Sequence, residues 1–177
     1  PLLRVTDLRS LAGGHEPSSS TSISSRSSSC APAACWRPPM VDKAVMASKI
    51  ASVGDAVSRI RAVLPADVEA FVSDRTTREV VVLNLFVALH DCLSLAAHWL
   101  ADEGVDVPQT YGDMFRRLGE RGVIPTELAM RLAAASGLRN LVAHQYGILD
   151  WRRVFTLASE RLDDLLTFCA QLADQAR

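Results

Sequence analysis

The residues best suited to chemistry lie together at positions 139–146, which read RNLVAHQY. This stretch places Arg139, Asn140, His144 and Tyr146 within about two helical turns. A histidine can move protons near neutral pH, and an arginine can hold a phosphate through paired hydrogen bonds. In RNA the 2′-hydroxyl is an internal nucleophile next to the scissile phosphate. Arg139 and His144 together therefore suit metal-independent phosphodiester cleavage.

The helical positions of these residues decide how they can meet. Asn140 and His144 are four residues apart and share a face, so the amide can orient the imidazole. Arg139 falls about 20° from Leu128, inside an apolar stripe where a charge is costly unless it is paired or opens onto a cleft. Arg139 and His144 lie about 140° apart on a regular helix. Either the last turn opens before Gly147, or a second copy of the helix completes the site, which would make the protein a homodimer.

Simpler roles also fit these residues. Arg139 could snorkel to solvent or pair with a carboxylate such as Asp163 or Asp164. A histidine near a helix end is commonly a C-cap. Flanking arginines form either a local basic patch that contacts phosphates or an ordinary solvated surface. These arginines are Arg116, Arg117, Arg121, Arg152 and Arg153.

A second polar cluster contains His90, Asp91 and His98. The two histidines are eight residues apart on roughly one face, but no third ligand follows at metal spacing. We therefore expect Asn84, Ser94 and His98 to form hydrogen bonds at a helix interface. The chain also contains no G-x-x-x-x-G-K and no G-x-G-x-x-G motif, which disfavours nucleotide-fuelled chemistry. The site is expected to use no metal and no cofactor.

The elements that must position these residues are helices. Beyond residues 1–39 the apolar positions follow helical spacing, and no strand alternation is present. A first helix begins near Asp42 and ends at Pro65. A second long helix runs to about Glu103, stopped by Gly104, and is apolar nearly all round, so it should be central or lie in a subunit interface. The predicted fold class is all-α, an antiparallel bundle of four or five helices.

Local signals predict several helix ends. Asp67 should cap a short helix, and Thr76-x-x-Glu79 reads as a capping box that opens the long second helix. Pro125 suits the first position of the helix that contains RNLVAHQY. Asp150 should cap one last helix, in whose apolar stripe Arg161 also falls.

Composition separates a tail from a domain. Residues 1–39 are rich in serine and proline and cannot bury enough apolar surface, so they are predicted to be a disordered or non-native extension of a helical domain at 40–177. A net charge of −1 excludes a general nucleic-acid coat protein. The four cysteines show no metal spacing and indicate buried thiols in a reducing, cytoplasmic compartment. The most apolar run, 80–89, is too short to span a bilayer.

The motif and its surroundings resemble a known family. RNLVAHQY matches the R-x4-H-x-Y motif of the HEPN superfamily. LSLAAHWL at 93–100, YGDMFRRLGERGVIP at 111–125 and GLRNLVAHQY at 137–146 resemble, in order, the HepT-like RNase toxins of HEPN/MNT toxin–antitoxin pairs. The resemblance extends over about residues 42–172.

The resemblance implies an all-helical homodimer that cleaves RNA, with Arg139 and His144 catalytic and Asn140 supporting them. It also implies a cognate nucleotidyltransferase antitoxin of the MNT type. In the family this partner can neutralise the toxin by adding AMP to the motif tyrosine, here Tyr146.

Two other functions remain open. The chain could be a non-catalytic helical module that binds a nucleotidyltransferase, with the motif serving the interface or a nucleotide. It could also be a structural dimer in which Arg139 and His144 only satisfy helix ends. Tight partner binding without RNA cleavage would favour the first, and loss of stability rather than activity on mutation would favour the second.

Overall fold

The computed structural model describes residues 43–144 and 149–175, all within one unit that spans Arg37–Arg177. These residues form helices and no strand, which confirms the all-α class. The predicted extension at 1–39 lies outside the described residues. The helices are α1 (Lys43–Val63), α2 (Val68–Ser73), α3 (Arg75–Asp102), α4 (Tyr111–Glu120), α5 (Thr126–His144), α6 (Trp151–Glu160) and α7 (Leu162–Gln175).

Helix α3 is the centre of the fold, as its apolar surface predicts. It packs against every other helix, and its Leu85, Leu89 and Leu95 are fully buried. Helix α1 lies along it and buries Val53 and Ile60. Within the described ranges α3 is also the one helix long and apolar enough to cross a membrane, with half of that stretch buried inside the protein.

Helices α4 and α5 pack closely and bring the start of α4 beside the middle of α5. Gly119 permits this approach, because a Cβ at that position would lie 2.7 Å from the Cβ of Ala129. At the other end of α4, a Cβ on Gly112 would lie 3.5 Å from the carbonyl oxygen of Ala133. The short separation fixes Tyr111, the first residue of α4, against α5.

Several predicted helix ends are confirmed. The Asp67 carboxylate accepts from the Ala70 amide at 2.8 Å and caps α2. Asp150 caps α6 by accepting from the amides of Arg152 and Arg153 at 3.1 and 3.2 Å. Gly104 follows α3 with a φ of 66°, the left-handed conformation that ends helices.

The predicted capping box of α3 is wrong. Asp74 is the N-cap and accepts from the amides of Thr76 and Thr77 at 2.9 and 3.3 Å, so Thr76 already lies inside the helix. An aspartate two residues upstream satisfies two free amides with one carboxylate, which a threonine hydroxyl cannot match. The predicted position of Pro125 inside the first turn is also wrong. Pro125 stands one residue before α5, and its carbonyl accepts from the Ala129 amide at 3.0 Å.

The prediction of a single last helix is also wrong, because Arg161 divides that segment into α6 and α7. Arg161 has a φ of −120° and is exposed, whereas Leu162 and Leu165 are buried. A continuous helix would direct this cation into the apolar stripe. The break removes a desolvation cost while both helices keep their apolar faces on the core.

Two of the four cysteines, Cys92 on α3 and Cys169 on α7, are buried and free, as predicted for buried thiols. A hydrogen bond with Cys169 raises the pKa of Cys92 well above its usual value, and burial raises it further. Cys92 therefore contributes to the core as an uncharged thiol, and Cys169 packs beside it as a buried side chain. Cys30 and Cys35 lie outside the described residues.

Candidate active site

Arg139 lies half-buried on α5 with its guanidinium against two aromatic rings. Its guanidinium carbon is 4.8 Å from the ring centre of Tyr111 and 5.5 Å from that of Phe86. Its Nε is buried and has no hydrogen-bond partner among the residues that the structure describes. Ring faces attract a cation through their quadrupole, so they stabilise the charge in the apolar stripe without neutralising it.

The alternative role in which Arg139 pairs with Asp163 or Asp164 is wrong. Asp163 accepts from Arg61 at 2.7 Å, and Asp164 accepts from Arg131 at 2.9 Å. Arg131 stands about two turns before Arg139 on α5, and its ion pair with Asp164 connects α5 to α7. The two carboxylates are therefore occupied by other arginines.

Phe86 and Tyr111, which we call the ring pair, were both missed as site residues by sequence reasoning. Phe86 reads as one more apolar residue of the long helix, and Tyr111 as the first residue of the family-like run at 111–125. Phe86 also stacks on His90, one turn later on α3, with ring centres 6.2 Å apart and planes 7° apart. One signal was available, because a cation in an apolar stripe needs either a carboxylate or aromatic neighbours.

The backbone of α5 remains helical through His144. Positions 139 and 144 therefore keep their separation of about 140° around the axis, and any opening of the helix would have to follow His144. Asn140 is exposed. Tyr146 and Gly147 lie outside the described residues. The first predicted way to complete the site, an opened turn before Gly147, falls on residues that the structure does not describe, and the second, a further copy of the helix, stays a prediction.

The second polar cluster does not converge. Asp91 forms a partly buried ion pair with Lys49 at 3.1 Å, and His90 and His98 are exposed. The predicted interface hydrogen bond of Asn84 is wrong, since its amide donates to the Val80 carbonyl of its own helix at 2.8 Å. Over residues 43–144 and 149–175, no three His, Cys, Asp or Glu side chains lie close enough to hold a metal ion.

Three of the five flanking arginines are engaged in exposed ion pairs. Arg116 contacts Asp113 at 2.5 Å, and Arg117 contacts Glu120 at 3.6 Å. A hydrogen bond from Thr110 lowers the pKa of Asp113, and Arg116 lowers it further. Arg152 contacts a third carboxylate, on α2, at 2.5 Å. These pairs reduce the positive charge that the predicted basic patch offers to RNA, because a phosphate would have to compete with a carboxylate at each of them.

A groove of about 640 Å³ runs between α5 and α6. Its apolar lining includes Leu138, Leu141 and Leu157, and Leu141 is 39% exposed. Arginines also line it, among them Arg153 and Arg161. The groove combines apolar lining residues with arginines. This composition suits a protein partner with acidic and apolar residues.

Comparison with known proteins gives a consistent result. The family model described as "Ribonuclease HepT-like" matches residues 53–172. The mRNA nuclease HepT of Shewanella oneidensis is 29% identical over 124 residues, which cover 70% of this chain and 92% of that protein.

Solved structures agree with the family match. The fold is similar to a toxin–antitoxin crystal structure with AMP-PNP, with a TM-score of 0.69, 27% identity and coverage of 74% of this chain and 98% of that one. It is also similar to a tri-AMPylated Shewanella oneidensis HEPN toxin in complex with MNT antitoxin, with a TM-score of 0.67, 28% identity and coverage of 73% and 97%.

Proposed function

We propose that this chain, which belongs to the HepT-like ribonuclease family, is a metal-independent endoribonuclease toxin of a bacterial toxin–antitoxin pair. The state of Arg139 is the observation that most supports this. It is a half-buried cation held by aromatic rings, with no carboxylate bound to it in the described part of the chain. Its charge therefore remains available to a phosphate.

In the proposed reaction His144 takes the proton of the RNA 2′-hydroxyl, and the 2′-oxygen attacks the adjacent phosphorus. The bond from phosphorus to the 5′-oxygen breaks, and the leaving oxygen receives a proton, which yields a 2′,3′-cyclic phosphate and a 5′-hydroxyl. Arg139 binds the phosphate and stabilises the charge that builds on it. Asn140, on the same helical face as position 144, supports the imidazole.

We further propose that the toxin is a cytoplasmic homodimer in which two copies of α5 complete the site. The separation of positions 139 and 144 supports a site shared between two copies. The surface of α3 supports an interface, because half of its most apolar stretch is not buried within the chain and Leu83 is 60% exposed. A second subunit would cover this apolar surface.

The proposed partner is an MNT-type nucleotidyltransferase antitoxin, with Tyr146 as the residue that receives AMP. Support comes from similar solved structures, which are toxin–antitoxin complexes, one with an AMPylated toxin. Mass spectrometry of the protein co-expressed with its proposed nucleotidyltransferase partner should show added AMP on Tyr146. A Tyr146→Phe variant should lose that modification, and AMP found only at other residues would refute the assignment.

The cleavage proposal is tested by Arg139→Ala and His144→Ala. Each variant should lose RNA cleavage and growth inhibition by at least about a hundredfold, as expected when a phosphate ligand or a proton-transfer group is removed. Circular dichroism and sedimentation should show both variants folded. If both still cut RNA, the proposal is wrong.

The alternative is a non-catalytic module that binds a nucleotidyltransferase, and the groove between α5 and α6 favours it. In that case wild-type protein would bind the nucleotidyltransferase but cut no RNA. Leu141→Asp would then weaken partner binding. Wild-type protein and the Arg139→Ala variant would both fail to cut RNA.

A further inference from the structure

Arg139 differs from the ion-paired arginines of this protein in how its charge is held. Arg131 donates from Nε and a terminal nitrogen to Asp164, and that carboxylate raises the pKa of Arg131. Arg61 donates to Asp163 at 2.7 Å. Arg139 instead lies over the rings of Phe86 and Tyr111, at 5.5 and 4.8 Å. Its hydrogen-bonding capacity is thus not used by a carboxylate of the described residues.

Contact with a ring face and contact with a phosphate use different parts of a guanidinium. The flat face of the group is attracted to the rings, while the N–H donors lie in its plane and bind phosphate oxygens in pairs. The Nε of Arg139 is buried, so the terminal nitrogens are the ones left to reach a phosphate. A ring contact can therefore fix the orientation of the group and leave its outer donors free.

Each member of the ring pair is itself held in place. Phe86 stacks on His90 with planes 7° apart, which limits rotation of the Phe86 ring. Tyr111 begins α4, where the Thr110 hydroxyl accepts from the Asp113 amide at 3.2 Å and fixes the helix start. The approach of α4 to α5 at Gly112 then holds Tyr111 beside Arg139.

We propose that Phe86 and Tyr111 are positioning residues that hold the Arg139 guanidinium with its terminal nitrogens directed at the RNA phosphate. This inference rests on the proposed ribonuclease function and adds two residues to it. Neither ring needs to touch RNA. Their effect is to keep Arg139 in one orientation, so that the transition state does not have to order a flexible side chain.

The test compares variants that keep a ring with variants that remove it. Tyr111→Phe should retain kcat within about twofold, because the ring face remains. Tyr111→Leu and Phe86→Leu should each lower kcat on the order of 10- to 100-fold, the effect of misplacing a group that stabilises the transition state. KM should change much less, since the missing interaction is strongest in the transition state.

A matched control separates positioning from general loss of packing. Phe155 on α6 is half-buried and contacts Phe71, with ring centres 5.6 Å apart, and it is not one of the two rings against Arg139. Phe155→Leu should lower the melting temperature about as much as Phe86→Leu yet leave kcat unchanged. If kcat instead follows the melting temperature across all variants, or if the two ring-removing variants keep wild-type kcat, the positioning role is refuted.

A second readout does not depend on catalysis. The buried Nε–H of Arg139 should give an NMR signal displaced by the ring currents, and titration with a 2′-deoxy oligonucleotide should shift it further. If wild-type protein cuts no RNA, the ribonuclease proposal fails, yet this titration still tests positioning. A shift in wild type that is lost in Tyr111→Leu supports it, and equal shifts in both refute it.

Discussion

At the scale of single residues, burial decides which chemical groups are reactive. Arg139 lies in an apolar stripe, where the faces of two aromatic rings attract its guanidinium. Cys92 and Cys169 show the opposite outcome. Their environment raises the pKa of Cys92, so the thiol stays protonated and unreactive. The Cys92 thiol is therefore not suited to act as a nucleophile in the folded protein.

We predict that iodoacetamide at pH 8 modifies Cys92 at least about tenfold more slowly in native protein than in urea, because each unit of raised pKa lowers the thiolate fraction tenfold and burial blocks access. Peptide mass spectrometry over time measures both rates. Equal rates in the two conditions would contradict the buried, hydrogen-bonded thiol.

At the scale of elements, the position of Tyr111 depends on how closely α4 approaches α5. The sequence predicted the helix that became α5 and the motif on it, because those depend on local spacing. It did not predict the ring pair, because residues 86, 111 and 139 meet only through the packing of three helices. It also missed the break at Arg161, because the spacing of apolar residues continues across it while the backbone does not.

Gly119→Ala should destabilise the protein by about 1–3 kcal/mol, the range for forcing a methyl group into a packed interface. The added Cβ would meet that of Ala129 at 2.7 Å and push α4 away from α5. Gly54→Ala in α1 is the matched control. No atom lies within 4 Å of its added Cβ, so it should gain about 0.5–1 kcal/mol from helix propensity. Urea unfolding measures both, and equal effects would contradict the close contact.

The cap of α3 makes a pH-dependent contribution. A hydrogen bond from the Thr77 side chain is the largest cause that lowers the pKa of Asp74 below 3.8. Because the folded pKa is the lower one, the stabilisation is present above pH 3.8 and is lost as the pH falls through the folded value. Asp74→Ala should therefore lower the melting temperature at pH 7 and have a progressively smaller effect below pH 3.8. Asp106→Ala, in the loop before α4, is the control, and a constant effect of Asp74→Ala across this range would contradict the cap.

At the scale of the whole molecule, α3 has two apolar sides. One side forms the core with α1, and the other includes Leu83 at 60% exposure. The sequence indicated both possibilities, a central helix and an interface helix. The central position is confirmed, and the interface remains the proposal made above.

Leu83→Glu should shift the protein from dimer to monomer in sedimentation velocity, because a charge would be buried in the proposed interface. Val107→Glu is the matched control, since Val107 is 41% exposed in the loop between α3 and α4. The control should stay dimeric. A dimeric Leu83→Glu protein would exclude this face of α3 as the interface.

The ring pair also determines when during synthesis the site can form. Phe86, Tyr111 and Arg139 are spread over three helices, so the guanidinium cannot be held until all of them have left the ribosome. At a translation rate of about 5–20 residues per second, α5 follows α3 by several seconds. On the proposed function, a nascent chain that displays α3 and α4 but not yet α5 cannot cleave RNA, and a partner that bound those helices first would meet the chain before it could act.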